Sequence, residues 1–567
     1  MRILILRNVI VFIFLILFAD VFWMQLINGP GYEKRSKNNR IRLVPEDASR
    51  GIIYDRNKIP LVENNLAFDV VAIPLEMDRE NKEVLFSRLG KFLDIDAEVL
   101  ADTFITNFDF SFSPVMLASN VPRQTAFLIE QDMTSLKGIF IKTSARRQYV
   151  YKEAAAHIVG YIGKMRESEY PELAKYGYRI LDVIGRSGLE KSFDKILRGK
   201  PGGMQLEVNS RGSIINILSY RPPAQGDDVY TTIDINLQQL IHKEFNGEKG
   251  AACVMDCENG EILALYSGPS FDPNVLIDKK EVNAIGRILK DPDSPLFNRA
   301  LNVYAPGSIF KIVTAYAALK NGSISSESNF ECKGEFELGN STRNCWLKTG
   351  HGWVNLRKAI AASCNVFFWQ AGLIIGEKKI SSTAKEFGLG KIIGIELPGE
   401  RSGIVPSLKW KRAELHEKWY GGDTANFAIG QGYLLISPLQ ALKIAGIIAS
   451  DGLEVTPHII KQSLKQNQKR IADYPYIKLI QEGMFDVVNS GSGTGHNAFI
   501  PGVKTFAKTG TAQVGGSDPH AWFMGYSLVE KRNICFVVFL EHGGHGGELP
   551  AQIASSIIAY FKTPILD

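Results

Sequence analysis

The sequence predicts an α+β protein whose main domain is an antiparallel sheet flanked by helices. Three observations carry this. "VKTFAKTGTAQV", "HAWFMGYSLV" and "NICFVVFLEHG" follow one another near the C-terminus as strand-like runs with short connections. "GAACVMDCENGEILALYSG" upstream has the form of a hairpin, with Asn259-Gly260 in the turn. Helical patterns lie before and after these strands, separate from them rather than alternating one for one.

Taken in order, the chain begins with "VIVFIFLILFADVFWMQLI", Val9 to Ile27, nineteen residues with one acid, Asp20. As a helix this is ~28 Å long, about one bilayer core. No small-x-small cleavage site follows, and the run exceeds the core of a signal peptide, so an uncleaved anchor is favoured over a cleaved leader. Trp23 suits an interfacial position. Asp20 either snorkels or faces a partner helix. Arg2 and Arg7 precede the segment; Lys34, Arg35, Lys37, Arg40 and Arg42 follow it, so flanking charge does not support a cytoplasmic N-terminus.

"SRGIIYDRNKIPLVEN", 49–64, predicts strands around a turn. "IGRSGLEKSFDKILRGKPGG", 184–203, predicts one amphipathic helix ended by Gly199 and Pro201. "RPPAQGDD", 221–228, has linker composition. The expected division is an anchor over 1–28, an elongated domain over 29–225 and the main domain over 226–567. "DINLQQLIHKEF" opens the main domain as a helix.

Composition narrows the function classes. The 567 residues are 45% hydrophobic and 22% charged, with a formal net charge of +5. Without a basic, aromatic-interleaved run, nucleic acid is a poor partner. Six cysteines in this length do not make a disulfide scaffold.

Ser-x-x-Lys occurs three times: Ser192–Lys195, Ser308–Lys311 and Ser382–Lys385. The first and third fit solvated helix faces. Ser308 alone stands at a predicted helix N-terminus behind Pro306-Gly307, where free N–H groups and the helix dipole favour negative charge. A serine beside a lysine there can lose its proton and attack a carbonyl; the rival role is helix capping. Ser363-Cys364-Asn365 offers a hydroxyl for proton relay and an amide for substrate. Lys508-Thr509-Gly510-Thr511 lies in a strand pattern, where Lys508 can hold a carboxylate or tune Ser363 and Gly510 admits a substrate backbone. Lys348-Thr349-Gly350 repeats part of this pattern in the wrong chain order.

The order Ser308-x-x-Lys311, Ser363-x-Asn365, Lys508-Thr509-Gly510 resembles the active site of penicillin-binding proteins and serine β-lactamases. "RGIIYDR", "GRSGLEKSFDKILRG", "TANFAIGQGYLLISPLQ" and "HAWFMGY" extend the resemblance over most of the chain, to class B penicillin-binding proteins. "GHGW", "HAWFMGY" and "EHGGHGG" are most similar to the elongation-specific penicillin-binding protein 2 group. One departure is Asn57-Lys58, where relatives usually carry glycine after the Asp-Arg pair.

The resemblance implies a β-lactamase-like transpeptidase domain on a pedestal domain, anchored in the inner membrane with its catalytic mass in the periplasm. It implies a peptidoglycan D,D-transpeptidase, inhibited by β-lactams, with Ser308 as nucleophile and Lys311 as its base. Ser363 and Lys508 would pass a proton to the leaving amine, with Asn365 hydrogen-bonded to Lys311 or substrate. Ser308 and Thr511 N–H groups would form the oxyanion hole, and Thr509 and Thr511 would bind the substrate carboxylate. Implied partners are stem peptides, a polytopic glycan polymerase of the shape, elongation, division and sporulation family, and other elongation-complex proteins. A β-lactamase of the same fold lacks support, because no Glu-x-x-Leu-Asn loop follows Ser363. A D-alanyl-D-alanine carboxypeptidase shares all three motifs. A β-lactam sensor would need more membrane spans, and intact motifs argue against a non-enzymatic scaffold.

Cys332, Cys345, His351 and Cys364 have spacing C-x12-C-x5-H-x12-C and reach into the second motif. Three readings stay open: a structural zinc site, a Cys332–Cys345 disulfide, or inert thiols. The chemistry itself needs no cofactor. Cys253 and Cys257 read as packing or solvent-facing residues, and His542 and His545 as part of a glycine-rich loop.

Overall fold

The computed structural model describes all residues except 33–40, 75, 78–80, 109–113, 181, 210–213, 279–280, 462–468, 531 and 563–567. Lys34, Arg35, Lys37 and Arg40 of the basic stretch lie outside the described residues. One apolar helix, Arg2–Ile27, is long and apolar enough to cross a membrane, and it starts earlier than the Val9 read from the sequence.

The chain forms two compact units. One comprises Met1–Gly51, Asn64–Gln148 and Arg198–Asp227; the other comprises Ile52–Glu63, Tyr149–Leu197 and Asp228–Asp567. The first holds a three-stranded antiparallel sheet of Ile41–Glu46, Gly202–Val208 and Ile214–Arg221, with Gly202–Val208 in the middle. Its separate core is Val70, Leu85, Phe86, Leu89, Leu100, Val115 and Ile129, from strands and from helices Lys82–Leu93, Ala97–Thr106 and Arg123–Gln131.

The second unit is built on five antiparallel strands: β1 (Gly250–Asp256), β2 (Ile262–Gly268), β3 (Lys504–Val514), β4 (Ser517–Leu528) and β5 (Ile534–Leu540). Their order is β2-β1-β5-β4-β3. The expected hairpin is β1–β2, closed over 257–261. Every residue of β1, β2 and β5 is buried, so both faces of the sheet are covered. That is why these strands read as continuous apolar runs without alternation. Helices Ile235–Phe245 and Leu549–Lys562 pack on one another and on the sheet, and Pro438–Ala449 lies against β1, β4 and β5. Asp234 caps the first of these helices, accepting from the N–H groups of Asn236 and Leu237.

The single helix expected over 184–203 does not form. Val183–Gly185 is a strand, Gly188–Ser192 and Asp194–Leu197 are short helices, and Gly202 begins the next strand. Asp194 turns inward to accept from the Gly185 N–H at 2.8 Å and the Tyr178 hydroxyl at 2.5 Å. Gly188 has φ +57°, and a Cβ there would lie 2.4 Å from the Gly160 nitrogen. Tertiary partners thus override an amphipathic pattern. The strands around a turn at 49–64 do form. Asp55 Oδ1 accepts from the Asn57 and Ile59 N–H groups at 2.7 and 2.8 Å, and Lys58 takes φ +65°. This left-handed backbone is one that glycine adopts without strain, as the expectation of glycine at this turn implies.

Candidate active site

Ser308 sits in a 3-10 turn, Gly307–Phe310, that runs into the helix Lys311–Lys320. Two supports hold the approach to this turn. The Trp522 indole of β4 donates to the Ala305 carbonyl at 3.0 Å, and the Gly307 N–H donates to the Gly430 carbonyl at 2.9 Å. Gly307 has φ +56°, and a Cβ there would lie 2.7 Å from the Thr511 carbonyl oxygen. The turn therefore presses on β3 at close to backbone contact, which only glycine permits. A Cβ on Gly510 would in turn meet Ile309 and the Pro306 carbonyl at 3.0 Å. The first and third motifs are thus brought edge to edge.

The second motif joins them through Lys311. Its ammonium donates to the Ser363 carbonyl at 2.8 Å, the Ser363 hydroxyl at 3.3 Å and the Asn365 Oδ1 at 2.7 Å. Three acceptors match the three hydrogens of an ammonium. Asn365 opens the helix Asn365–Ile375. Ser363 precedes it with φ +52°, a left-handed conformation that costs a β-carbon-bearing residue ~1–2 kcal/mol. The strained backbone points the Ser363 carbonyl and hydroxyl together at Lys311.

Lys311 and Lys508 are both fully buried. Burial lowers Lys311 from the usual lysine range to about 8, with nearby Cys364 and Cys345 opposing the shift. Lys508 is also lowered well below the usual lysine range, first by burial and then by repulsion from Lys311. Its ammonium donates to the Thr509 carbonyl at 3.1 Å. Two buried ammonium groups disfavour one another, so a neutral amine is accessible beside Ser308 near neutral pH.

Thr494 was not legible in the sequence. Its hydroxyl bonds the Thr509 hydroxyl at 2.8 Å and the Ala361 carbonyl at 3.4 Å, so it ties β3 to the turn before Ser363. Its only signal is a glycine- and serine-rich neighbourhood, common in any turn. Gly430 and Gly546 were also missed as site residues. A Cβ on Gly430 would lie 2.0 Å from the Gly307 carbonyl, and one on Gly546 2.5 Å from the Gly510 carbonyl. The glycine-rich 543–547 segment is a loop, as read, and it packs directly on β3 and β4. Just before it, His542 is fixed by bonds to Asp518 and His520.

The decoys fall elsewhere. Ser192 and Ser382 lie on exposed helix surface, and the Ser382 hydroxyl bonds the Lys379 carbonyl in its own helix. Lys348-Thr349-Gly350 is the turn that delivers His351 to the cysteines: a Cβ on Gly350 would lie 2.2 Å from the Cys332 carbonyl.

Cys332, Cys345, His351 and Cys364 converge, with one ligating atom from each lying within 4.8 Å of the others. His351 Nδ1 is 3.4 Å from the Cys332 sulfur and 3.7 Å from the Cys345 sulfur. Tetrahedral zinc, with bonds of ~2.3 Å to sulfur and ~2.05 Å to nitrogen, gives ligand–ligand edges of roughly 3.5 Å. The donor set and spacing fit a structural zinc ion. Cys345 is held down to about 3 by hydrogen bonds from Cys364 and then His351, whereas Cys364, the group bonded to it, is pushed up. None of the six cysteines is disulfide-bonded in this structure.

The geometry defines a serine acyl-transfer site on a β-lactamase-like sheet domain, and comparison with known proteins agrees. The penicillin binding protein transpeptidase domain matches residues 250–559 and the penicillin-binding protein dimerisation domain residues 45–231. The chain belongs to the penicillin-binding protein transpeptidase family. It is 32% identical to the Escherichia coli K12 peptidoglycan D,D-transpeptidase MrdA, over 96% of this chain and 92% of that one. Penicillin-binding protein 2 of Helicobacter pylori, solved in complex with MreC, superposes with a TM-score of 0.82 at 29% identity, over 92% of this chain and 98% of that one. A chain from a structure on coordination of polymerization and crosslinking by a peptidoglycan synthase complex gives 0.76 at 27% identity, over 100% of this chain and 99% of that one.

Proposed function

We propose that this chain is a peptidoglycan D,D-transpeptidase of cell elongation that cross-links stem peptides through an acyl-serine intermediate. The observation that carries this is the placement of Lys311, bonded to Ser363 and Asn365 at the foot of the turn that presents Ser308 to Gly510 and Thr511.

Ser308 Oγ attacks the carbonyl of the penultimate D-alanine while neutral Lys311 takes its proton. A tetrahedral oxyanion forms between the Ser308 and Thr511 N–H groups, donors worth ~3–4 kcal/mol each in comparable sites. The tetrahedral centre collapses, the bond to the terminal D-alanine nitrogen breaks, and Ser363, tuned by Lys508, passes that nitrogen a proton. An amine of a neighbouring stem then attacks the acyl-serine, and the same groups act in reverse. Thr509 and Thr511 hold the substrate carboxylate, and Gly510 leaves room for its backbone.

Zinc held by Cys332, Cys345, His351 and Cys364 would be structural. Bound, it would neutralise thiolate charge and fix the 332–351 loop to Cys364, and so position Ser363 and Asn365. The four residues close the coordination sphere, which leaves no open position for substrate.

The helix Arg2–Ile27 anchors the chain in the inner membrane, with the rest in the periplasm, where peptidoglycan lies. We divide the chain into an anchor over 1–28, a pedestal over 29–225 and the transpeptidase domain over 226–567; the family matches over 45–231 and 250–559 support a two-domain reading beyond the anchor. Its partners are a polytopic glycan polymerase and other elongation-complex proteins, with Asp20 as a contact inside the membrane; the complex of the Helicobacter pylori relative with MreC and the peptidoglycan synthase complex of another support this reading.

The test is intact-mass analysis after penicillin treatment, with the adduct mapped by peptide. Wild type gains one long-lived penicilloyl adduct on Ser308, and Ser308→Ala gains none while keeping its melting midpoint. An adduct elsewhere rejects the assignment, and rapid turnover of penicillin favours a β-lactamase instead.

A further inference from the structure

Cys257 and Cys535 play no part in the chemistry or the metal cluster, yet their sulfur atoms lie 2.7 Å apart. Antiparallel pairing explains the meeting. Cys535 on β5 is directly opposite Met255 on β1, and the Cys257 N–H donates to the Asn533 carbonyl at 3.0 Å. Residues two apart share a strand face, so Cys257 stands diagonally across from Cys535 on one side of the sheet. Both are buried. Among the described residues, only the Cys332 cluster gathers three or more ligating groups, so the pair is not a second metal centre.

We propose that Cys257 and Cys535 form a disulfide that bonds the turn just after β1 to β5, two neighbouring inner strands of the catalytic sheet. The proposal rests on the periplasmic location argued above. A thiolate of one cysteine attacks the disulfide of a protein thiol–disulfide oxidant, forming a mixed disulfide and releasing one oxidant thiolate. The second cysteine then displaces the other oxidant sulfur. Two protons and two electrons leave the pair, and the oxidant is reduced to its dithiol. Burial holds the Cys257 proton tightly in the folded protein, so the exchange belongs to folding, before β5 docks on β1. The closed covalent loop from 257 to 535 encloses Ser308, Lys311, Ser363, Asn365 and Lys508, and ties the middle of the sheet on which β3 is built.

The test uses full-length protein from membranes of cells carrying a C-terminal alkaline phosphatase fusion. The sample is acid-quenched, unfolded and alkylated without reductant, then digested. The expected product is a linked peptide pair containing Cys257 and Cys535, about 2 Da lighter than the two free thiol peptides. Neither residue takes label until reductant is added. In Cys257→Ser, Cys535 becomes labelled without reductant. Cys332, Cys345 and Cys364 label without reductant once zinc is chelated. Free labelling of wild-type Cys257 and Cys535 alongside active phosphatase overturns the disulfide. The same labelling with inactive phosphatase rejects the periplasmic location, and the disulfide with it.

Discussion

Lys311 donates to three acceptors at rest, and none of the three is Ser308. A fully protonated amine has no lone pair for the serine proton, so under the proposed mechanism, with Lys311 as base, acylation follows the neutral fraction. Burial brings that residue to about 8. The rate of acylation by a fluorescent penicillin is therefore expected to rise close to tenfold per pH unit from pH 6 to 7 and to level off above about 8. A flat profile across this range would assign the base to another group. Lys311→Met should lose acylation at every pH. At the same scale, Gly307 shows how little space the site leaves. Its φ of +56° and its 2.7 Å approach to the Thr511 carbonyl both exclude a side chain, next to Ser308 and Thr511, the two proposed oxyanion donors.

The cysteine cluster acts at the level of elements. The strand Phe330–Cys332 pairs with Gly352–Val354, and the segment between them, which carries the hairpin Glu335–Leu338 and Ser341–Asn344, returns Cys345 and His351 to the start of the helix Asn365–Ile375. A metal there would brace the 332–354 excursion against the helix that carries Asn365. Protein purified without added zinc is expected to hold about one zinc per chain by elemental analysis. Cys345→Ser should lower zinc content and melting midpoint together, and penicillin acylation with them. Metal-free wild type with normal acylation would reject the structural role. The same level shows why the 184–203 pattern misled: helical apolar spacing is a local signal, and Asp194 spends its carboxylate on Tyr178 and Gly185 instead of solvent.

For the whole catalytic unit, one histidine sets an acid limit. His157 is partly buried, with its Nε2 shut off from water and without a hydrogen-bond partner, and it packs edge-on to Phe271 at 5.3 Å. Burial lowers it from 6.5 to about 4, with a smaller contribution from Arg299, against a backbone hydrogen bond at Pro295. The folded form therefore binds fewer protons than the unfolded chain between these values. Stability is lost as pH falls from about 6.5 towards 4, by an amount on the order of 3 kcal/mol. The melting midpoint of wild type should fall more steeply between pH 7 and pH 4.5 than that of His157→Phe. Equal slopes would show that His157 is already charged when folded.

By itself the sequence determined the fold class, the membrane-length helix and the three motif segments. Each is written in local patterns: strand runs, an apolar stretch, and serine and lysine placed at one helix entry. It also named every member of the cysteine cluster, because ligand type and number are visible without coordinates. The choice of Ser308–Lys311 among three Ser-x-x-Lys pairs was also legible, from its place at a helix entry and from motif order, but tertiary structure alone brought Lys311 onto Ser363 and placed Thr494, Gly430 and Gly546 at the site. It also paired Cys257 with Cys535, which lie on strands far apart in the chain. The physical reason is range. Periodicity and capping act over a few residues, whereas proximity across a sheet is set by strand order and register, which no short stretch of sequence specifies.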